Sequence, residues 1–160
     1  MNYIIAVGYP LRLFPGEQGT EVEIELLNRT CLLKGVQAVI WGQLFQVQEC
    51  PETWMPDILE LYKSGAVVMG ETQEELLLHL LPLHPLRQGF CIQDGVGRTK
   101  ICLGGQLFPL SPVQEMLWRD ANGSVTLQHM LQQNNLLTVT PEDLLHELIL
   151  LTAADLYYFR

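Results

Sequence analysis

The segment VQAVIW at residues 36–41 returns in altered form as VQEMLW at residues 113–118. A shift of 77 residues places 23–42 over 100–119, and the two stretches are identical at six of twenty positions. Most of the identical residues are apolar, and their spacing changes from two to three and four, as expected where a strand is followed by a helix. The pattern predicts an internal duplication in which both copies use Trp41 or Trp118 as a core residue.

The second part of each copy aligns with a different shift. A shift of 68 places 72–81 over 140–149 and 87–92 over 155–160. The change of shift implies nine extra residues in the first copy, around QVQECPETW at 46–54.

Each copy is then predicted to contain a strand, three helices and a closing strand. Ser111, Thr72 and Thr140 are predicted to cap helices, and Gly65 to end one. The predicted elements are strand 22–27, helices 36–44, 54–64 and 73–81 and strand 89–93, followed by strand 99–103, helices 112–119, 125–133 and 141–151 and strand 156–159.

The segment GFCIQDGVGRTKICLGG at 89–105 has the alternation of a β-hairpin around the turn DGVG. A hairpin centred on this turn would place Cys91 opposite Cys102 and Ile92 opposite Ile101. A strand, three helices and a hairpin are the elements of a winged helix. We therefore predict an α+β fold of two tandem winged-helix repeats, with a first domain at 1–94 and a second at 95–160.

The phrase LLNRTCLLKGVQAVIWGQL at 26–44 resembles the start of the PqqD-like winged-helix domains, which recognise peptides. The matching positions are Leu27, Asn28, Thr30, Ile40, Trp41 and Leu44. Twelve residues separate Asn28 from Trp41, about twice the spacing typical of that family, and its acidic turn after the first helix is missing. The resemblance implies a peptide lying along an edge strand beside the third helix.

The charge distribution favours a protein partner over DNA. The net charge is −9, and of nine basic residues only Arg98 and Lys100 lie close together. Both predicted third helices begin with acidic residues, which phosphates repel, and basic side chains supply most of the affinity for nucleic acid. We therefore do not expect DNA binding. A DNA-binding transcriptional regulator that uses Arg98 and Lys100 remains the alternative.

The third helices are apolar nearly all round, which is typical of helices that are buried on more than one side. The residues left outside their core stripes are Leu78 and Leu83, then Leu150 and Leu151. They could pack one copy against the other, or contact a partner or a second copy in a homodimer. Trp54 has no counterpart in the second copy and could be an exposed anchor or a staple on the core.

The sequence predicts no enzyme, cofactor or metal site. His79 and His84 lie five apart across Pro82, so they do not form a helical pair of ligands. No predicted helix reaches the length of a membrane span, and the first residues do not resemble a signal peptide. Four cysteines without regular spacing are typical of free thiols. We therefore expect a cytoplasmic, non-enzymatic adaptor or regulatory module that binds protein or peptide.

Overall fold

The computed structural model describes residues 3–46, 48–93 and 97–160, which form a mixed α+β fold, as predicted. The first half contains a small three-stranded sheet, a three-stranded meander and three α-helices. Its elements are β1 (Tyr3–Ala6), β2 (Tyr9–Gly16), β3 (Gly19–Leu26), β4 (Arg29–Lys34), α1 (Val36–Gln43), β5 (Gln48–Glu49), a 3-10 helix (Glu52–Trp54), α2 (Met55–Lys63), β6 (Val67–Gly70) and α3 (Gln73–Leu80).

The second half has the same kinds of element in nearly the same order. They are β7 (Pro85–Arg87), β8 (Phe90–Gln93), β9 (Thr99–Leu103), β10 (Gln106–Pro109), α4 (Pro112–Asp120), α5 (Leu127–Gln133), a 3-10 helix (Leu136–Thr138), α6 (Pro141–Ala153) and β11 (Tyr157–Phe159). Ser111 forms a capping box with Gln114, and Thr72 and Thr140 cap α3 and α6. These caps were predicted because they depend only on local sequence.

The two meanders have the same strand register. In the first, Ile24 of β3 lies opposite Cys31 of β4, and in the second, Ile101 of β9 lies opposite Phe108 of β10. Both pairs obey the shift of 77 that the sequence alignment uses. The first strands also correspond, since Tyr9 lies opposite Glu25 and Phe90 opposite Cys102, although β2 has a register shift between Pro10 and Arg12.

The strand pairs beside the meanders also correspond, and they alter the predicted alignment. β6 pairs antiparallel with β1, and β11 pairs antiparallel with β7. The helices before β6 and β11 end alike, with Gly65 and Asp155 in the left-handed region. The structure therefore matches α2 with α6 at a shift of 90, whereas the sequence alignment matched α3 with α6. Capped, leucine-rich helices resemble one another, so sequence similarity selected the wrong helix.

We call residues 3–70 the first unit and residues 85–160 the second unit. The second unit is longer, because α5 and a 3-10 helix lie between α4 and α6. Three helices follow each meander, but β6 lies between α2 and α3, and β1 and β7 precede the meanders. The tandem winged-helix arrangement is therefore not confirmed. The division at residue 94 also stays a prediction, and β8 and β9 of one sheet lie on either side of it.

The hairpin register differs from the prediction by one residue. Cys91 lies opposite Ile101 and Ile92 opposite Lys100, while Cys102 lies opposite Phe90. Since neighbouring residues of a strand point to opposite faces of a sheet, Cys91 and Cys102 lie on different faces. Five residues, an odd number, separate the paired residues Gln93 and Thr99. The predicted pairing of Cys91 with Cys102 would leave an even number of residues between any two paired residues.

The units share one hydrophobic core, and α3, which connects the first unit to the second, packs against α6. Leu76 and Leu80 of α3 are fully buried, as is Leu148 of α6. The interface is head-to-tail, because the C-terminal strand β11 of the second unit reaches the start of β2 in the first. There the N–H of Gly8 donates to the carbonyl oxygen of Phe159 at 2.6 Å.

Candidate functional site

Each unit anchors its first helix through one tryptophan. The indole N–H of Trp41 in α1 donates to the carbonyl oxygen of Val7 at 2.9 Å, and that of Trp118 in α4 donates to Gln88 at 2.9 Å. Val7 and Gln88 occupy the same place, between the short strand and the meander. Both rings are buried, as the repeated tryptophan predicted. In each unit, a groove runs beside this tryptophan along the start of the meander.

The groove of the first unit is filled by aromatic rings. Tyr158 of β11 packs edge-to-face on Tyr9 at 5.3 Å and on Phe45 at 5.4 Å, and Phe45 packs in the same way on Trp41 at 4.8 Å. The hydroxyl of Tyr158 donates to Asp155 at 3.2 Å. Burial, with the nearby charge of Asp155 as a second cause, raises the pKa of Tyr158. The second unit therefore supplies the ring that closes the groove of the first.

The equivalent groove of the second unit is open. It has a volume of about 560 Å³, and its lining includes Arg87, Phe90, Cys91, Glu115, Trp118 and Arg119. Gly8 is buried and Tyr9 half-buried, whereas their counterparts Gly89 and Phe90 are exposed, Phe90 to 61%. All four residues of β8 are exposed, and β8 is an edge strand of its sheet. A strand edge with apolar side chains is therefore accessible here.

Two arginines give this groove a positive charge that the equivalent positions of the first unit lack. Arg87 and Arg119 stand where the first unit has Ala6 and Gly42. The guanidinium of Arg87 lies 4.9 Å from the centroid of the Trp118 ring and donates to the carbonyl oxygen of Arg119. Among the described residues, Arg87 forms no ion pair, whereas Arg119 lies 3.3 Å from Asp120. Arg87 is therefore a cation held by an aromatic ring and a carbonyl, with its charge not neutralised.

The leucines predicted as partner contacts differ in their exposure to solvent. Leu78 of α3 and Leu150 of α6 are 62% and 46% exposed. Leu83 is half-buried and packs against the core. Leu151 is only 1% exposed and belongs to the core, so it is removed from the candidate surface. The error arose because the buried stripe of α6 is wider than one row of leucines.

Trp54 lies away from the open groove. It ends the 3-10 helix before α2, is half-buried, and packs against the core. It also lines a separate cavity of about 390 Å³ with Val36 and Val39 of α1, both of which are exposed. Trp54 therefore acts as a staple and still presents part of its ring to solvent.

The residues predicted for nucleic acid lie on β9 and directly before it, not on the third helices. Arg98 is exposed and Lys100 is half-buried on β9, while the third helices α3 and α6 contact each other. Within the described ranges, no three His, Cys, Asp or Glu side chains are placed to hold a metal ion. No helix in those ranges is long and apolar enough to cross a membrane.

Sequence reasoning identified the tryptophan of the groove but missed the groove itself. A signal was present, since VGYP at 7–10 and QGFC at 88–91 share a glycine followed by an aromatic residue. The two segments lie 81 residues apart, and they are the places where the two grooves begin. No family model, curated protein or solved structure matches this chain.

Proposed function

We propose that this protein is a non-enzymatic module that binds a protein or peptide partner, as an adaptor or a regulatory subunit. The open groove beside β8 and α4 carries the proposal. Phe90 and Ile92 are exposed on β8, and large apolar side chains on an accessible strand edge are typical of interaction sites. The same position in the first unit is already filled by a strand of this chain.

We also propose that the two halves of the chain are winged-helix-like units. In both halves a three-stranded meander precedes three α-helices, which supports this proposal, although β5 and β6 interrupt the helices of the first half. Ile40, Trp41 and Leu44, which match the PqqD-like pattern, are buried and hold α1 to the core. A relationship to such domains would place this protein among peptide-recognition modules. The cytoplasm remains the proposed location, and the four cysteines are free thiols.

DNA binding is the competing hypothesis. The net charge of −9 opposes a polyanion, and the acidic starts of α3 and α6 would face its phosphates if these helices entered a groove. Retention of the protein on heparin at moderate salt, lost in an Arg98→Ala/Lys100→Ala variant, would favour the DNA hypothesis. We expect no retention.

The proposal is tested by selection. The full chain is immobilised and offered a phage-displayed library of random twelve-residue peptides, with an unrelated acidic protein of similar size as the control target. We expect enriched peptides that bind the chain in solution with a micromolar Kd, about −8 kcal/mol. Failure to enrich peptides over the control target would contradict the proposed function. Sedimentation of the chain alone reports whether it forms a homodimer.

A further inference from the structure

We infer that the open groove binds an extended peptide segment in which an aromatic side chain lies next to a carboxylate. This inference rests on the proposed function and specifies the chemistry of the partner. It concerns the edge strand β8 and the first helix of the second unit, α4. The resemblance to PqqD-like domains implies a different place, beside the third helix.

The first unit shows what such a groove accepts. There an extended strand, β11, brings Tyr158 against Tyr9, and its backbone accepts a hydrogen bond from Gly8. In the second unit the counterparts of Tyr9 and Gly8 are Phe90 and Gly89, and both are exposed. An aromatic ring placed beside Phe90 would remove its exposed face from water and form the edge-to-face pair that aromatic rings favour.

The differences between the units specify the charge of the ligand. Arg87 stands in the lining of the groove where the first unit has Ala6, and its guanidinium lies over Trp118 without an acidic partner among the described residues. Arg119 replaces Gly42, although Asp120 partly neutralises it. Glu115 is the acidic residue of the lining. A carboxylate beside the aromatic residue of the ligand would pair with Arg87, which is already oriented by the tryptophan ring.

A separate segment fits this groove better than a second copy of the chain. If a second copy filled this groove as the first groove is filled, the entering strand would be β11, whose residues are buried between β7 and the first unit of their own chain. Tyr157 and Phe159 are nearly inaccessible. Their release would expose the first groove and part of the shared core, so self-association through β11 carries a large free-energy cost.

The experiment uses the peptides enriched on the full chain, synthesised and titrated by calorimetry. We expect most of them to contain an aromatic residue within two positions of Asp or Glu. We also expect Phe90→Ala and Arg87→Ala to raise Kd by about tenfold or more, as for buried anchor residues. Leu107→Ala, on the opposite edge of the same sheet, and Arg12→Ala, on β2, are the matched controls and should change Kd by less than about twofold. Thermal unfolding verifies that each variant is folded.

The outcomes separate the two proposals. Enriched peptides without the aromatic and acidic pair, or peptides that bind Phe90→Ala as tightly as the unaltered chain, would overturn this inference and leave the proposed function standing. Concentration-dependent dimerisation abolished by Phe90→Ala would identify a second copy as the occupant and also overturn it. No enrichment at all would remove the proposed function first.

Discussion

The grooves beside Trp41 and Trp118 begin from the same local structure and end in different states. In both, the indole N–H donates to a backbone carbonyl, and a glycine precedes an aromatic residue at the start of the meander. The first is filled by Tyr158, and the second is open with Arg87 on its tryptophan. In a head-to-tail arrangement, one unit covers its neighbour and the last groove stays uncovered. A single pair of units thus yields one structural and one accessible groove.

The largest expected difference concerns the ring that fills the first groove. Tyr158→Ala should reduce the free energy of unfolding by about 3–5 kcal/mol, because it removes a large aromatic side chain that is only 7% exposed. Phe90→Ala, in the open groove, should change it by less than about 1 kcal/mol. Urea denaturation followed by circular dichroism measures both. Equal losses would show that the second groove is also closed in solution.

Alkaline pH should destabilise β11, the strand that fills the first groove. Burial raises the pKa of Tyr157, as it does that of Tyr158, with Asp120 as a second cause for Tyr157. Their neutral forms are favoured in the folded state, so the stabilisation is complete below about pH 10 and is lost as the pH rises above it. Each tyrosine should lower the free energy of unfolding by up to about 1.4 kcal/mol per pH unit there.

Denaturation at a series of pH values tests this dependence. Tyr158→Phe keeps the ring and removes the titrating hydroxyl, so its stability should fall less steeply above pH 10. An equally steep fall in the variant would assign the effect to other groups.

The two tryptophans should differ in the value of their hydrogen bonds. Trp41→Phe should cost about 1–3 kcal/mol, because it leaves the carbonyl of buried Val7 without a donor. Trp118→Phe should cost less, since Gln88 is half-buried and water can replace the indole. Thermal unfolding of both variants compares them directly. A larger loss in Trp118→Phe would reverse the assignment of structural and accessible grooves.

The smallest effect is expected for the arginine of the open groove. Arg87→Ala should cost about 0.5–1 kcal/mol, the size of a cation–π contact near the surface. It should also increase quenching of tryptophan fluorescence by acrylamide, because the Trp118 ring loses its cover. Arg12→Ala removes an exposed ion pair with Glu23 and should leave the quenching unchanged. Unaltered quenching in Arg87→Ala would mean that other atoms cover Trp118.

The helices could be predicted closely from the sequence. The expected helix at 112–119 is α4 at Pro112–Asp120, with the predicted capping box at Ser111. The expected stop at Gly65 also occurs, with a φ of 75°. These features involve residues within one turn of one another, so local sequence suffices to specify them.

Several strands escaped prediction because their pattern is weak and their partners are distant. β2 contains Pro10 and Pro15, which are tolerated in an edge strand but remove donors from the sheet. β1 and β7 have four and three residues, too few for a clear alternation. The open groove was missed for a related reason. It forms between a strand and a helix that are distant in the sequence, and the glycine followed by an aromatic residue at 89–90 is too short a pattern to identify it.

The sequence by itself determined the capped helices, the repeated tryptophan and the excess of acidic over basic residues, since each depends on neighbouring residues or on composition. The tertiary structure alone decided which of two similar grooves is covered. That decision depends on the contact between Gly8 and Phe159, which lie at opposite ends of the chain. Packing of the shared core brings them together, and no local pattern encodes a pairing over such a distance.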